Sequence, residues 1–202
     1  MSSVTLFPLL GVAAAIVSMV DLVPYVCDTL RNVTRPHRGT WLIWSVLGAT
    51  GFASQLADGG SWSLLMVGVE TASTMLVFAL SLRFGMGAIG ACDFCLIGVA
   101  GLGVVGWAVS SHPVVATTCV VAADAIGVAL MLPKTWRDPW SETLSTYSLA
   151  GTAGVLSAAA VGAMDVSLLL YPVYFAIANG ATAIVIAYRR RSAAALAKVT
   201  FA

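Results

Sequence analysis

Long apolar runs separated by short polar segments dominate the pattern of this chain. Seven runs stand out, at residues 6–27, 40–56, 62–82, 87–109, 113–132, 142–162 and 167–188. Each approaches the about 20 residues that a helix needs to cross the hydrocarbon core of a membrane. Their hydrophobicity is continuous, whereas the strands of a membrane barrel alternate apolar and polar residues. The pattern therefore predicts an all-α integral membrane protein with seven transmembrane helices.

Composition supports this prediction. Hydrophobic residues make up 59% of the chain and charged residues only 9%, and the mean hydropathy is +0.95. Soluble domains average about 45–50% apolar and about 25% charged residues. No basic segment precedes the first apolar run, so we expect the first helix to be retained rather than removed with a signal peptide.

The basic residues indicate how the helices are oriented. If seven spans are threaded in order, all 10 Lys and Arg residues fall on one side. They are Arg31, Arg35, Arg38, Arg83, Lys134, Arg137, Arg189, Arg190, Arg191 and Lys198. Because basic loops stay in the cytoplasm, we expect the N-terminus outside and the C-terminus inside. A basic inner face is the ordinary signature of insertion, so the sequence predicts contact with the lipid bilayer and no binding of nucleic acid.

A diverged internal repeat organises the chain. Segment 21–59 returns without a gap at 124–162, a shift of 103 residues. The shift superposes Asp21 on Asp124, Pro36 on Pro139, Thr40 on Thr143, Ser45 on Ser148, Gly48 on Gly151, Gly51 on Gly154, Ser54 on Ser157, Ala57 on Ala160 and Gly59 on Gly162. An aspartate, a loop proline and a threonine in one register indicate a tandem duplication.

The duplication predicts a 3+1+3 architecture. Residues 1–86 form a first three-helix repeat, 87–112 a linking inversion helix, 113–190 a second three-helix repeat and 191–202 a basic cytoplasmic tail. An odd number of spans separates the copies, so both repeats insert in the same orientation. Parallel repeats of this type occur in transporters, with the binding site between the repeats near the middle of the bilayer.

Several residues resemble the PQ-loop and SWEET class of small transporters. Pro24 lies near the cytoplasmic end of the first helix, a basic loop ends in Arg35-Pro36-His37, and Asn179 lies in the last helix. The loop segments TRPHRGTWLIW and PWSETLSTY are also similar to small bacterial membrane proteins of this class. The resemblance implies transport of a small polar solute by alternating access, without a cofactor, in a bacterial cytoplasmic membrane.

The resemblance also implies particular roles. In SWEET-like transporters an Asn on the third and on the last helix lines the substrate site; Asn179 matches, and Glu70 or Thr74 takes the other place approximately. Pro24, Gly48, Gly51, Gly151 and Gly154 would act as hinges, with static helix packing as the alternative. The chain departs from the family pattern where the signature Pro-Gln pair reads Pro24-Tyr25 and where Gly127 matches Pro24 in the second repeat.

Carboxylates within apolar spans are the strongest chemical signal. Asp21, Glu70, Asp93 and Asp124 lie there, where an ionised group costs roughly 2.5–3.5 kcal/mol even on insertion scales. Asp21 and Asp124 each lie ten residues before a basic residue, about 15 Å along a helix and therefore near mid-membrane. Desolvation favours their protonated form, which suits a proton- or cation-coupled carrier. The alternative is that each is protonated or hydrogen-bonded to a neighbouring helix and only fixes the packing.

Together these considerations predict a solute or ion pathway. Its residues are Asp21, Asp124, Glu70, Thr74, Asn179, Trp44 and Tyr147. Glu70 shares a polar helix face with Ser73 and Thr74 at i+3 and i+4 spacing. Trp44, which matches Tyr147 in the second repeat, is expected to border a cavity from the inner side. A carboxylate in this set favours a polar or cationic solute over a plain sugar.

Other functions find less support in the sequence. His37 and His112 fall in loops and no nucleophile and base are paired in the spans, so we predict no enzyme. Lys134 and Lys198 lie outside the last span, which excludes a retinal Schiff base. The Cys92 and Cys95 pair has no histidine nearby, so no metal site is expected. A seven-helix sensor or receptor and a non-transporting assembly subunit remain as alternatives, and the sequence leaves homo-oligomerisation open.

Overall fold

The computed structural model describes residues 3–34, 36, 38–85, 90–110, 112–140 and 142–200. These residues form seven α-helices and no strand: α1 (Ser3–Leu30), α2 (Arg38–Ala57), α3 (Leu64–Phe84), α4 (Ala91–Ser110), α5 (Pro113–Arg137), α6 (Leu144–Ala160) and α7 (Val166–Thr200). One helix coincides with each predicted run, so the all-α prediction is confirmed. Arg35 and His37 lie outside the described residues, as do the side chains of Cys92 and Asp93.

Three helical segments are long and apolar enough to cross a membrane, counted over the residues that the structure describes. They are Leu6–Leu30, Leu64–Phe84 and Val166–Ala195. α1 also exposes large apolar side chains, with Leu9 and Ile16 each 55% exposed and Met19 59% exposed. A soluble monomer rarely leaves such a contiguous apolar surface in water. The helices are therefore consistent with integration into a membrane.

The helices alternate in direction. Along α1 and α3, Gly11 contacts Trp62 and Asp21 contacts Glu70, so these two helices run parallel. Consecutive helices run antiparallel throughout. The described basic residues of the loops and helix ends consequently share one end of the bundle, here named the basic end: Arg31, Arg38, Arg83, Arg137, Arg189, Arg190 and Arg191. The opposite end holds the start of α1 and the connections α2–α3, α4–α5 and α6–α7.

The two sets of three helices pack in the same order. α3 lies between α1 and α2, and α7 lies between α5 and α6. The sets meet where α1 packs against α6 and where α2 packs against α5. These two contacts are equivalent, because α1 corresponds to α5 and α2 corresponds to α6. α4 packs on α5 and α2. This arrangement is what a duplicated three-helix unit would produce, and it leaves an interface between the units on which a central site can form.

Glycines set the closest helix contacts. A methyl group added at Gly154 would lie 2.7 Å from the backbone nitrogen of Ala176, and one added at Gly151 would lie 3.1 Å from that of Gly180. Small residues of this kind let membrane helices approach one another closely. The predicted hinge glycines are thus packing contacts between helices in this structure, and their hinge role stays a prediction.

The C-terminal helix differs from the prediction. We expected the span to end near 188 and residues 191–202 to form a separate tail, but α7 continues to Thr200. Its last segment is rich in alanine, with leucine, lysine and arginine, all strong helix formers. At the other end of α7, the Asp165 carboxylate accepts hydrogen bonds from the Ser167 hydroxyl and backbone amide, which lowers the pKa of Asp165. α7 is therefore capped at its start.

The helix contact at Gly154 gives a stability prediction. Gly154→Ala should destabilise the protein by about 1–3 kcal/mol, because its new methyl group meets the α7 backbone and the helices must separate. Gly101→Ala on α4 is the matched control, because nothing lies within 4 Å of a methyl group there. The measurement is the unfolding midpoint of both variants in detergent. Equal unfolding midpoints of the two variants would show that the α6–α7 contact accommodates the added methyl group without loss of stability.

Candidate functional site

A cavity of about 100 Å³ lies between the two three-helix units. Six helices line it, and only α4 contributes none of its described residues. All seven residues of the predicted pathway border it: Asp21, Trp44, Glu70, Thr74, Asp124, Tyr147 and Asn179. Among the predicted hinge positions Gly48 also lines it, whereas Pro24, Gly51, Gly151 and Gly154 do not. The structure therefore gathers in one place residues that are 158 positions apart at the extremes, Asp21 and Asn179.

The cavity occupies the half of the bundle nearer the basic end. Its lining on α2, α5 and α7 begins at Gly48, Val120 and Tyr171 and continues toward the basic end. A methyl group added at Gly51 would lie 3.6 Å from Val120 and 3.7 Å from Tyr171, so this layer is packed and forms the floor. The cavity is accordingly closed toward the opposite end.

Two carboxyl groups meet at one wall. Asp21 on α1 and Glu70 on α3 are hydrogen-bond neighbours, and Ser18 on α1 lies beside Glu70. Asp21 is 4% exposed and Glu70 is 8% exposed. One oxygen of each, Asp21 Oδ2 and Glu70 Oε1, has no hydrogen-bond partner within the described structure. Two ionised carboxylates this close would repel each other.

The third carboxyl group has different partners. The Tyr174 hydroxyl on α7 donates a hydrogen bond to Asp124 Oδ2 at 2.5 Å, and the Trp44 indole on α2 is a further hydrogen-bond neighbour of Asp124. Asp21 and Asp124 occupy equivalent positions of the repeat, yet one contacts a carboxyl group and the other a phenol and an indole. We expected the two aspartates to act as a matched pair; the structure gives them unlike surroundings.

Glu70 and Asn179 occupy equivalent positions in the two units. Gly48 approaches Thr71 and its counterpart Gly151 approaches Gly180, and a methyl group added at either glycine would lie 3.4 Å from the Cα atom of its partner. Glu70 and Asn179 come one residue before these contacts, so they correspond. The Asn179 side-chain amide donates a hydrogen bond to the Phe175 carbonyl at 2.9 Å, so the Asn179 side chain lies along its own helix.

Aromatic side chains form much of the wall, and the sequence reading missed most of them. Trp41 donates its indole N–H to the Tyr25 hydroxyl at 3.2 Å, and its ring lies 5.0 Å from that of Trp44. Tyr171 and Phe175 stack with their ring centroids 5.9 Å apart. The sequence had already placed Phe175 on the helix face of Asn179, and a signal existed for Tyr171, because it precedes Asn179 by eight residues and shares that face.

A polar cluster lies at the basic end of the cavity. The Tyr147 hydroxyl donates to Glu142 Oε2 at 3.1 Å. Arg190 donates to the Glu142 carbonyl at 2.8 Å and to the Pro139 carbonyl at 3.0 Å. Arg38 makes the corresponding contacts in the first unit, to the carbonyls of Ser81 at 3.1 Å and Gly85 at 2.9 Å. These arginines tie helix ends together rather than entering the cavity.

The opposite end is closed by hydroxyl contacts between the units. Ser54 and Thr117 are hydrogen-bonded at 2.7 Å across α2 and α5, and Ser157 donates to the Ser63 carbonyl at 3.2 Å. Ser54 and Ser157 are equivalent in the repeat and both are fully buried. Gln55 beside them is 1% exposed, and neither polar atom of its side chain has a partner within the described structure.

The described residues contain no group of three or more His, Cys, Asp or Glu side chains that could hold a metal ion. Comparison with protein-family models, with curated proteins and with solved structures finds no match for this chain.

The bond between Tyr174 and Asp124 can be tested by mutation. Tyr174→Phe should lower the free energy of unfolding by about 1–3 kcal/mol, because it leaves a buried carboxyl oxygen without its donor. Tyr188→Phe on the same helix is the matched control, since Tyr188 is 58% exposed. Unfolding of both variants in detergent, compared with the unsubstituted chain, measures the difference. Equal effects of the two substitutions would contradict the assignment.

Proposed function

We propose that the protein is a membrane transporter of a small polar solute that works by alternating access, with the architecture of the PQ-loop and SWEET class. All seven helices cross the bilayer, with the N-terminus outside and the basic end in the cytoplasm. The observation that carries the proposal is the convergence of polar residues from both three-helix units on one cavity at their interface, the location expected for a transporter built from parallel repeats.

The uneven packing of the two halves supports alternating access. The cavity reaches toward the basic end, while Ser54, Thr117 and Ser157 close the other end through hydrogen bonds. Burying a glutamine amide without hydrogen-bond partners costs free energy, and this cost disappears once water can reach the amide. We therefore regard the structure as the inward-facing state, and Gln55 as a residue that is hydrated when the opposite end opens.

The surfaces that would move follow from the packing order. The units contact each other where α1 packs against α6 and where α2 packs against α5. Rocking of one unit on the other would change these two interfaces and preserve the contacts within each unit. The Thr146 hydroxyl donates to the Asp21 carbonyl at 3.1 Å across the first of these interfaces. The Thr143 hydroxyl donates to Asp28 Oδ2 at 3.4 Å in the same interface. Single hydroxyl bonds of this kind suit a contact that separates and closes again.

Transport should depend on the cavity carboxyl groups. In proteoliposomes that carry a pH gradient and an internal pH dye, sugars, amino acids and amines are added in turn to the unsubstituted chain. We expect at least one solute to move protons. Asp21→Asn should reduce that flux by about tenfold or more, since a proton-carrying group is lost. Asp124→Asn should reduce it less, because Asp124 is held by the hydrogen bond from Tyr174. Asp165→Asn, exposed and outside the cavity, is the matched control and should leave the flux unchanged, since asparagine can cap α7 as aspartate does.

Two results would redirect the proposal. Normal proton-linked uptake by both cavity variants would remove the carboxyl groups from the mechanism. If no solute moves, and both variants lose only stability, the chain acts as a sensor or as an assembly subunit whose carboxyl groups serve packing.

The orientation can be measured independently. Single cysteines are placed at Met164, which is 95% exposed at the opposite end, and at Ser192 beyond the arginines of α7, in a chain whose own cysteines are replaced. In intact cells a membrane-impermeant maleimide should label Met164→Cys at once and Ser192→Cys only after permeabilisation. The reverse pattern would invert the orientation, and labelling of both sites in intact cells would show that α7 does not cross the membrane.

A further inference from the structure

We propose that the cavity binds an organic cation, a primary ammonium group attached to a small apolar body, with the ammonium held between Asp21 and Glu70. The inference names the solute class of the transporter proposed above and rests on that proposal. The structural basis is a pair of buried carboxyl groups with unpartnered oxygens at the wall of an aromatic cavity.

The charge of the lining favours a cation. Asp21, Glu70 and Asp124 border the cavity, and no Lys, Arg or His occurs among the lining residues that the structure describes. The nearest arginines with described contacts, Arg38 and Arg190, donate to backbone carbonyls at the basic end. An anion would therefore meet only negative or neutral groups, whereas a cation meets charge of opposite sign in a low-dielectric site.

Hydrogen bonding favours a primary ammonium group. Asp21 Oδ2 and Glu70 Oε1 are buried oxygens of cavity-lining residues that lack partners within the described structure. An ammonium group offers three donors and no acceptor, so it can donate to both oxygens at once. A sugar hydroxyl brings an acceptor together with its donor and leaves the carboxyl charge without compensation. The residues that recognise the solute would thus come from α1 and α3.

The remaining walls suit an apolar body. Trp44, Tyr171 and Phe175 line the cavity together with the apolar Leu47, Val120 and Val128. Aromatic faces attract a cation that lies over them and pack against the carbon atoms attached to it. The cavity of about 100 Å³ limits that body to a small group such as a short chain or a single ring.

Binding should exchange the solute for a proton. Without solute, Asp21 and Glu70 share one proton; when the ammonium enters, both become carboxylates and the proton leaves to bulk water. Charge balances, since one positive charge enters and one leaves. The other titratable groups of the cavity wall are Tyr25 on α1, Asp124 on α5, Tyr147 on α6 and Tyr171 on α7, while α2 contributes none among its described residues. Asp124 is already occupied by Tyr174, so the exchange is assigned to the first unit.

The test compares three probes of one shape on the purified full chain in detergent: benzylammonium, benzyl alcohol and benzoate. Binding is followed by the fluorescence of the cavity tryptophans and by calorimetry in two buffers of different ionisation enthalpy. We expect benzylammonium to bind at least about tenfold more tightly than the other two, with release of about one proton. Asp21→Asn and Glu70→Gln should each weaken it by about tenfold and abolish the proton release.

Asp58→Asn is the matched control and should bind benzylammonium like the unsubstituted chain. Glu70→Asp keeps the charge and should retain the preference for the cation, which separates a binding role from a folding defect. Equal binding of the three probes, or full cation binding by both carboxyl variants, overturns the assignment. If a neutral solute crosses proteoliposomes while benzylammonium does not bind, the cation site fails and the transporter stands. If benzylammonium binds with proton release while no solute crosses, the transporter fails and the cation site stands.

Discussion

The absence of water in a bilayer is the constraint on which this structure depends. Backbone amides and carbonyls in hydrocarbon must be paired within the protein, so the apolar runs have little choice but to form helices. The same constraint acts on side chains. Asp21, Glu70 and Asp124 cannot be solvated by lipid, and each lies on the interior wall of the bundle, where another polar group or the cavity receives it. The buried carboxyl groups thus fix which helix faces point inward.

The two units share a geometry and differ in the partners of their aspartates. They have the same packing order and matching glycine contacts, and the aspartates stand at matching positions. The partners of the aspartates differ, because the position on α3 equivalent to Asn179 carries Glu70. Glu70 places a second carboxyl group beside Asp21. In the other unit a phenol satisfies the carboxyl group by a hydrogen bond, which fixes it in place.

The hydropathy pattern was sufficient to predict the number and positions of the helices, because each helix coincides with a long apolar run of the sequence. The repeat was sufficient to bring Asp21, Asp124, Trp44 and Tyr147 together, because equivalent positions must meet at the interface of two like units. Neither the hydropathy pattern nor the repeat specifies how each helix is rotated about its own axis. This rotation depends on contacts of single small residues such as Gly11 against Trp62, which lies along the same α1–α3 contact that brings Asp21 to Glu70. The continuation of α7 was missed because hydropathy marks where lipid ends and not where a helix ends.

The contacts within each unit differ in kind from those between the units, and this difference bears on how such a protein could move. At the basic end Arg38 and Arg190 bind carbonyls within their own units, so they strengthen each unit without joining the two. Between the units single hydroxyl bonds occur in both halves of the bundle, and each can be exchanged for a bond to water at little net cost. Rigid units joined by exchangeable contacts can change their relative tilt without losing their internal packing. The cost of opening is then set mainly by the apolar layer around Gly51, Val120 and Tyr171, which is also the floor that the solute would have to pass.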